Sequence, residues 1–264
     1  PERFPGLAAN EAFCLALARA IGLDAVEAEW REGAGKPLLL IARYDRAATG
    51  ASTIRLHQED FAQALGVPSN RKYAAEGGPT FRDSFALLRI AATRPAREVL
   101  KLADAAIFNL IIGNADAHAK NFSLLRTDSG EIVLSPLYDL VATHVWKELS
   151  PRFAMRFGGA GTLEEVDRKT FARFAEEAGL APPYLKRRSR VLARAVQSAI
   201  AEGIEVPGLS GLAHVAKPAA SIAVADCAQP CSTTTSGRPS GKSAGTCAYM
   251  SSAPGLEPKS TTGN

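Results

Sequence analysis

The chain has 264 residues, 46% of them hydrophobic and 22% charged, with 31 Lys and Arg against 27 Asp and Glu for a net charge of +4. That balance belongs to a globular protein of one or two domains and argues against a disordered, collagen-like or dedicated nucleic-acid-binding chain. No run approaches the roughly 18 to 20 consecutive apolar residues of a membrane span, and no charged-then-apolar leader follows Pro1.

In chain order, Asn10-Glu11 opens a helix whose apolar positions Phe13, Leu15, Leu17, Ala20 and Ile21 wrap one side, and Gly22 stops it. Gly33-Ala-Gly35-Lys36 is a glycine turn between strands. After it, Pro37-Leu-Leu-Leu-Ile-Ala-Arg-Tyr44-Asp45 reads as a short buried strand. Helices are predicted around Gln58 to Leu65 and Thr80 to Ile90, and from Pro95, well placed in a first helical turn, to about Ile112. Phe122 to Leu125 and Glu131 to Leu134 are short strands joined by Arg126-Thr-Asp-Ser-Gly130, a β-hairpin signal. Two more helices, about Leu163 to Ala178 and Tyr184 to Glu202, complete a body that is mainly α with small β elements.

Val206-Pro207-Gly208-Leu209-Ser210-Gly211 is a breaker cluster, so the folded domain is placed at 1–207 and a low-complexity tail at 208–264. From Cys227 onward 22 of 38 residues are Ser, Thr, Gly or Pro, too few apolar groups to offset the ordering entropy of the backbone, so the tail is expected to be disordered. The charge excess is shared equally, +2 on each side of the boundary, and marks neither half as a basic arm. Cys14 lies in an apolar helix and reads as a small core residue. Cys227, Cys231 and Cys247 match no standard zinc spacing.

Residues able to do chemistry collect around the hairpin. Gly113-Asn114-Ala115-Asp116-Ala117-His118-Ala119-Lys120-Asn121 precedes its first strand, and Ser135-Pro136-Leu137-Tyr138-Asp139 follows its second. A hairpin returns its ends to one place, so Asp116, Asn121 and Asp139 are expected in one site. Hard oxygens from an Asp and an Asn suit Mg²⁺, which takes few protein ligands when phosphates supply others. The second Asp is then free to accept a proton. A protein-kinase catalytic loop has this layout: a base Asp, an Asn five residues later on a metal, and a metal-binding Asp after a short hairpin. The plain alternative is that Asp116 and Asn121 cap and turn the chain, with His118 a structural hydrogen-bonding residue and Lys186-Arg-Arg-Ser-Arg190 a solvated face.

Ile112-Gly-Asn-Ala-Asp116-Ala-His-Ala-Lys-Asn121-Phe-Ser123 and Ser135-Pro-Leu-Tyr-Asp139 strongly resemble the HipA family, serine/threonine kinase toxins of bacterial type II toxin–antitoxin systems. The resemblance continues upstream in Asn10-Glu11, Ala42-Arg-Tyr-Asp45-Arg46, Arg55-Leu-His-Gln58-Glu59-Asp60-Phe61, and Lys72-Tyr73 followed by Glu76-Gly-Gly-Pro79. It covers about residues 9 to 200. It implies a protein-kinase-like C-terminal lobe using ATP and Mg²⁺, with Asp116 the catalytic base, Asn121 and Asp139 the metal ligands and His118 near the ATP phosphates. The strand end at Arg43-Tyr44-Asp45 becomes the hinge that meets the adenine, and Gln58 lines the nucleotide pocket. It further implies a HipB-like helix-turn-helix antitoxin as partner, DNA only through that antitoxin, an aminoacyl-tRNA synthetase as protein substrate, a cytoplasmic location and no membrane partner.

The departures from the family also carry expectations. No phosphate-binding loop or strand Lys lies in the nine residues before Asn10, and Ala42 stands where family members often have an acidic hinge residue. The chain is therefore expected to be a truncated or split member with little activity by itself. Glu11 reads as a first-turn residue favoured by the helix dipole, or as the Glu that pairs with a nucleotide Lys. A catalytically inactive module that binds an antitoxin or a separate N-terminal lobe is the second functional class. A metal-dependent hydrolase built on Asp116, His118 and Asp139 is the third, weakened by having a single His.

Overall fold

Asn10, expected to open the first helix, lies inside it instead. In a computed structural model that describes residues 4–208, helix α1 spans Leu7–Ala20, one turn earlier than the sequence signal. The expected disordered tail, with Cys227, Cys231 and Cys247, lies outside the described residues. Asn10 is buried, and its side-chain oxygen accepts the Ala142 N–H at 2.8 Å, tying α1 to the segment after Asp139. Cys14 is a buried free thiol, as expected of a core residue.

The apolar run after Pro37 is half of a hairpin and not a buried strand. β1 (Ala28–Gly33) pairs antiparallel with β2 (Lys36–Ile41) around an Ala34-Gly35 turn in which both residues have positive φ, 51° and 70°. Such a turn matches the twist of two-residue hairpins. Leu38, Leu40 and Ile41 stay exposed, although α1 packs against both strands of the ribbon. β3 (Arg46–Thr49) and β4 (Ser52–Arg55) form another hairpin. Its Ala-, Thr- and Ser-rich strands lack the apolar alternation that signals a strand.

The segment expected as a helix from Gln58 to Leu65 is split. β5 (Gln58–Asp60) joins a three-stranded antiparallel sheet with β6 (Ser123–Arg126) and β7 (Ile132–Leu134), in the order β5-β6-β7. Asp60 then caps the one-turn helix α2 (Phe61–Ala64), accepting from Gln63 N–H at 2.9 Å while Gln63 accepts from Asp60 N–H at 3.0 Å. β6 and β7 are the predicted hairpin, shifted by about a residue.

Helix α3 (Phe81–Ala91) is capped by Thr80, and α4 (Pro95–Ile112) starts at its proline. α4 runs through the core with Leu102, Ile107, Phe108 and Ile111 almost fully enclosed, each worth about 2 kcal/mol of apolar burial. The predicted Leu163 to Ala178 helix is a single 3₁₀ turn at Leu163–Glu165 followed by α5 (Arg168–Glu177), because Asp167 restarts the helix as its cap. α6 (Pro182–Glu202) closes the lobe. Phe157 and Phe174 stack at 3.9 Å, with Phe81 edge-on to Phe174 at 5.3 Å, and fasten α5 to α3. The result is mainly helical with small sheets, and no helix among the described residues is long and apolar enough to cross a membrane.

Candidate active site

The site begins where α4 stops. Gly113 ends the helix in the left-handed conformation at φ 68°, and a Cβ there would meet the His144 ring at 2.2 Å, so the position favours glycine twice over. The next residues are clamped by their neighbours. Asn114 is buried and donates to Asn109 Oδ1 at 2.8 Å, while its own oxygen accepts the Asp116 N–H at 3.1 Å. Thr143 Oγ1 accepts the Ala115 N–H at 2.8 Å and donates to Gly113 O at 3.1 Å. The loop is thus built on a rigid helix end, and Asp116 projects from it with its carboxylate half exposed.

Asn121 and Asp139 meet as the hairpin argument expects. Asn121 Nδ2 donates to Asp139 Oδ2, and Asn121 Oδ1 accepts the His118 N–H at 2.9 Å. Asp139 holds φ 55°, a left-handed conformation that Asp tolerates better than most residues and that turns its carboxylate toward Asn121. The carboxylate opens onto a cavity of about 570 Å³ lined by Tyr73, Asp116, Val141, Trp146 and Phe153. Limited hydration in this cleft pushes the Asp139 carboxyl above its ordinary range. The charge of Asp116 adds to the rise, and His118 and the Asn121 hydrogen bond oppose it.

Glu11, on α1, completes the acidic side. Its carboxyl is pushed up to about 7, first by burial and then by the charge of Asp139, while a hydrogen bond from the Asp139 N–H pulls it partly back. Glu11 therefore faces Asp139 from inside α1 and is not a first-turn residue. His118 is buried, which pushes its imidazole below the ordinary value, and its Nδ1 is a buried atom with no hydrogen-bond partner among the described residues.

At the end of the β1–β2 ribbon, Tyr44 and Gln58 come together while the Arg43 side chain turns to Asp45. The Tyr44 hydroxyl donates to Gln58 Oε1, and its ring stacks on Tyr138 at 5.7 Å with planes 18° apart. The Tyr138 hydroxyl donates to Lys120 O at 2.9 Å and contacts Ser123 Oγ at 2.7 Å. An aromatic and amide corner therefore sits next to Asp139 in sequence. The Arg43 guanidinium is spent on Asp45, with two hydrogen bonds of 2.6 and 2.5 Å. Tyr138 and Lys72 are the site residues to which sequence reasoning gave no role. The signal was present, since Tyr138 directly precedes Asp139 and Lys72-Tyr73 is one of the ordered motifs.

The donor set fits the expected groups. A carboxylate, a carboxamide oxygen and surrounding negative charge suit a hard divalent cation that takes its remaining ligands from phosphates and water. The unpartnered His118 Nδ1 faces the same need for a polar group that phosphate oxygens meet. The stacked tyrosines and Gln58 offer a flat apolar face with an amide beside it, suited to a base. A larger cavity of about 910 Å³ lies between α1, the β1–β2 hairpin and the end of α6, lined by residues such as Ala16, Arg19, Leu40 and Gly203, and includes none of these groups.

Fold and site together define a kinase-like helical lobe carrying an Asp, Asn and Asp cluster around a short hairpin. The HipA-like C-terminal domain model matches residues 1–202, and the chain belongs to that family. The chain is 52% identical over 204 residues to a putative kinase, Y4mE, of Sinorhizobium fredii, covering 77% of this chain and 48% of the relative. It is 30% identical over 216 residues to the serine/threonine-protein kinase toxin HipA of Shewanella oneidensis, covering 77% and 49%. In the solved complex of HipA, HipB and operator DNA from the toxin–antitoxin system of Shewanella oneidensis, a chain 28% identical matches with a TM-score of 0.70 over 76% of this chain and 50% of its own. The chain spans about half the length of the curated relatives it matches.

Proposed function

We propose that this chain is the acceptor- and metal-binding half of a phosphotransfer site that moves the γ-phosphoryl group of ATP to a protein Ser or Thr hydroxyl, as the toxin kinase of a HipA-type pair in the cytoplasm. The observation that carries the reading is the contact of Asn121 with Asp139 beside an Asp116 whose half-exposed carboxylate stands 4.0 Å from Lys72 Nζ and, among the described residues, accepts no side-chain hydrogen bond. A carboxylate left open on the cavity wall is placed to orient an incoming hydroxyl and take its proton, a general-base role worth about 10² to 10⁴ in rate. Asn121 and Asp139 would hold Mg²⁺, which when bound neutralises charge between the phosphates. His118 Nδ1 would meet a phosphate oxygen, and Tyr44, Tyr138 and Gln58 would seat the adenine.

The partner proposed is a HipB-like helix-turn-helix antitoxin, supported by the HipB bound in the solved relative's complex, with DNA reached through it. An aminoacyl-tRNA synthetase is the substrate proposed from the family resemblance. The test is transfer of labelled γ-phosphate to protein, by this chain alone and mixed with the N-terminal half of the Sinorhizobium relative. Label appearing on Ser or Thr only with Mg²⁺, and lost in Asp116→Asn, supports the reading. Label that persists in Asp116→Asn overturns it. No label from the chain or the mixture, with antitoxin binding retained, favours the inactive binding module.

A further inference from the structure

The loop between α2 and α3 holds a lysine at the heart of the site. Gly78 N–H donates to Tyr73 O at 2.9 Å, and a Cβ on Gly78 would stand 2.5 Å from Arg71 O and 2.7 Å from Tyr73 O. Only glycine lets this loop close so tightly. The closed loop is fastened to the catalytic loop through one shared residue: Ala74 N–H donates to Ala154 O at 2.9 Å, and Ala154 N–H donates to Ala115 O at 2.8 Å.

Lys72 rides on that loop. Its Nζ lies 4.0 Å from Asp116 Oδ2 and 4.7 Å from the centre of the Tyr73 ring. Tyr73 in turn meets His118 edge-on at 6.1 Å. The lysine's charge acts on Asp116, His118 and Asp139 together. At 4.0 Å the pairing with Asp116 is longer than a hydrogen bond. A partly exposed ion pair contributes little to stability, which leaves the glycine-locked loop unexplained if pairing is its purpose.

We infer that Lys72 is a catalytic cation that contacts the transferring phosphoryl group. This rests on the phosphotransfer reading and adds to it the fixed positive charge that the base and metal ligands do not supply. In the transfer, the acceptor oxygen forms its bond to the γ-phosphorus while the bond from that phosphorus to the β–γ bridging oxygen breaks. The electron pair leaves with ADP and the hydroxyl proton goes to Asp116. Lys72 makes and breaks no covalent bond; its ammonium offsets charge spread over the equatorial oxygens.

The test compares Mg·ATP with Mg·ADP binding to the full chain by NMR titration at millimolar nucleotide, with circular dichroism to confirm folding. Lys72→Met is expected to weaken ATP by about tenfold while leaving ADP within about twofold, because the contact is to the γ-phosphoryl group. Lys72→Arg should restore most of the loss. Gly78→Ala, which must shift the loop, should behave like Lys72→Met and not like the unsubstituted chain. Equal losses for both nucleotides, or none for either, overturn the inference while the phosphotransfer reading stands. An unsubstituted chain that binds neither nucleotide, both alone and mixed with the N-terminal half of the Sinorhizobium relative, removes that reading, and this inference with it.

Discussion

Asn121 donates its side-chain amide to the carboxylate of Asp139 across 18 residues of chain, and the β6–β7 hairpin is the device that closes the gap. The contact ties a residue from before the hairpin to one from after it, and both lie beside the open carboxylate of Asp116. Chemistry follows from that division: one carboxylate is held and one is free.

Asp116→Asn tests the free one. Asp116 is exposed, and the groups that hold its loop are Asn114, Thr143 and Ala154. The substituted protein is therefore expected to melt within a degree or two of the parent, since exposed substitutions away from special features usually change stability by less than about 0.5 kcal/mol. Phosphoryl transfer should fall by about 10² to 10⁴. Thermal melts and label incorporation check both halves.

Tyr44→Ala removes one face of the aromatic corner. Stacking of a base on an aromatic ring is worth about 1 to 3 kcal/mol, and nucleotide affinity should fall accordingly. GTP and ATP should suffer alike if only stacking is lost. Gln58→Ala should instead weaken ATP more than GTP, because an amide reads the base edge. Competition titrations with the two nucleotides separate the roles.

Glu11 gives a pH dependence. Its carboxyl rises from the ordinary 4.5 to about 7 in the folded protein. The folded state thus holds a proton that the unfolded state releases, and the stabilisation is fully present below 4.5 and lost as pH rises through about 7. In metal-free buffer the protein should lose about 2 kcal/mol over that window from this group, allowing for its partial exposure. Glu11→Gln should flatten the curve. Denaturant titrations at several pH values measure it.

Asp45 gives the opposite sign. The Arg43 hydrogen bonds, with Arg46 at 2.6 Å, hold its carboxyl down at about 2 against the ordinary 3.8. Its contribution is present above 3.8 and lost as pH falls toward 2. The arginines are largely exposed, so screening reduces the value to about 1 kcal/mol. Asp45→Asn should cost that much at neutral pH and nothing in acid, measured by the same titrations.

Much of this site was legible in the sequence because its parts lie on short, strongly signalled elements. Pro95 and Gly113 bracket α4, and a glycine loop between two apolar quartets marks the hairpin that joins Asn121 to Asp139. Other features were not legible for physical reasons. The pairing of the Arg43 side chain with Asp45 was not legible, because spacing alone does not show which carboxylate an arginine at a strand end meets. The Gln58 to Leu65 segment carries a helical pattern that Asp60 divides, since its capping bond starts a helix and releases the three residues before it to the sheet. Lys72 is far from Asp116 along the chain, and contacts that spacing does not show, the Ala74, Ala154 and Ala115 hydrogen bonds and the Tyr73–His118 ring contact, bring them together.

The most direct measurement is Mn²⁺ binding, as a spectroscopic substitute for Mg²⁺, followed by electron paramagnetic resonance with and without ATP. Nucleotide-dependent Mn²⁺ binding should be lost in Asp139→Asn and Asn121→Ala and retained in Asp116→Asn. Binding that survives in Asp139→Asn, or that vanishes in Asp116→Asn, contradicts the assignment of one held carboxylate to the metal and one free carboxylate to the proton.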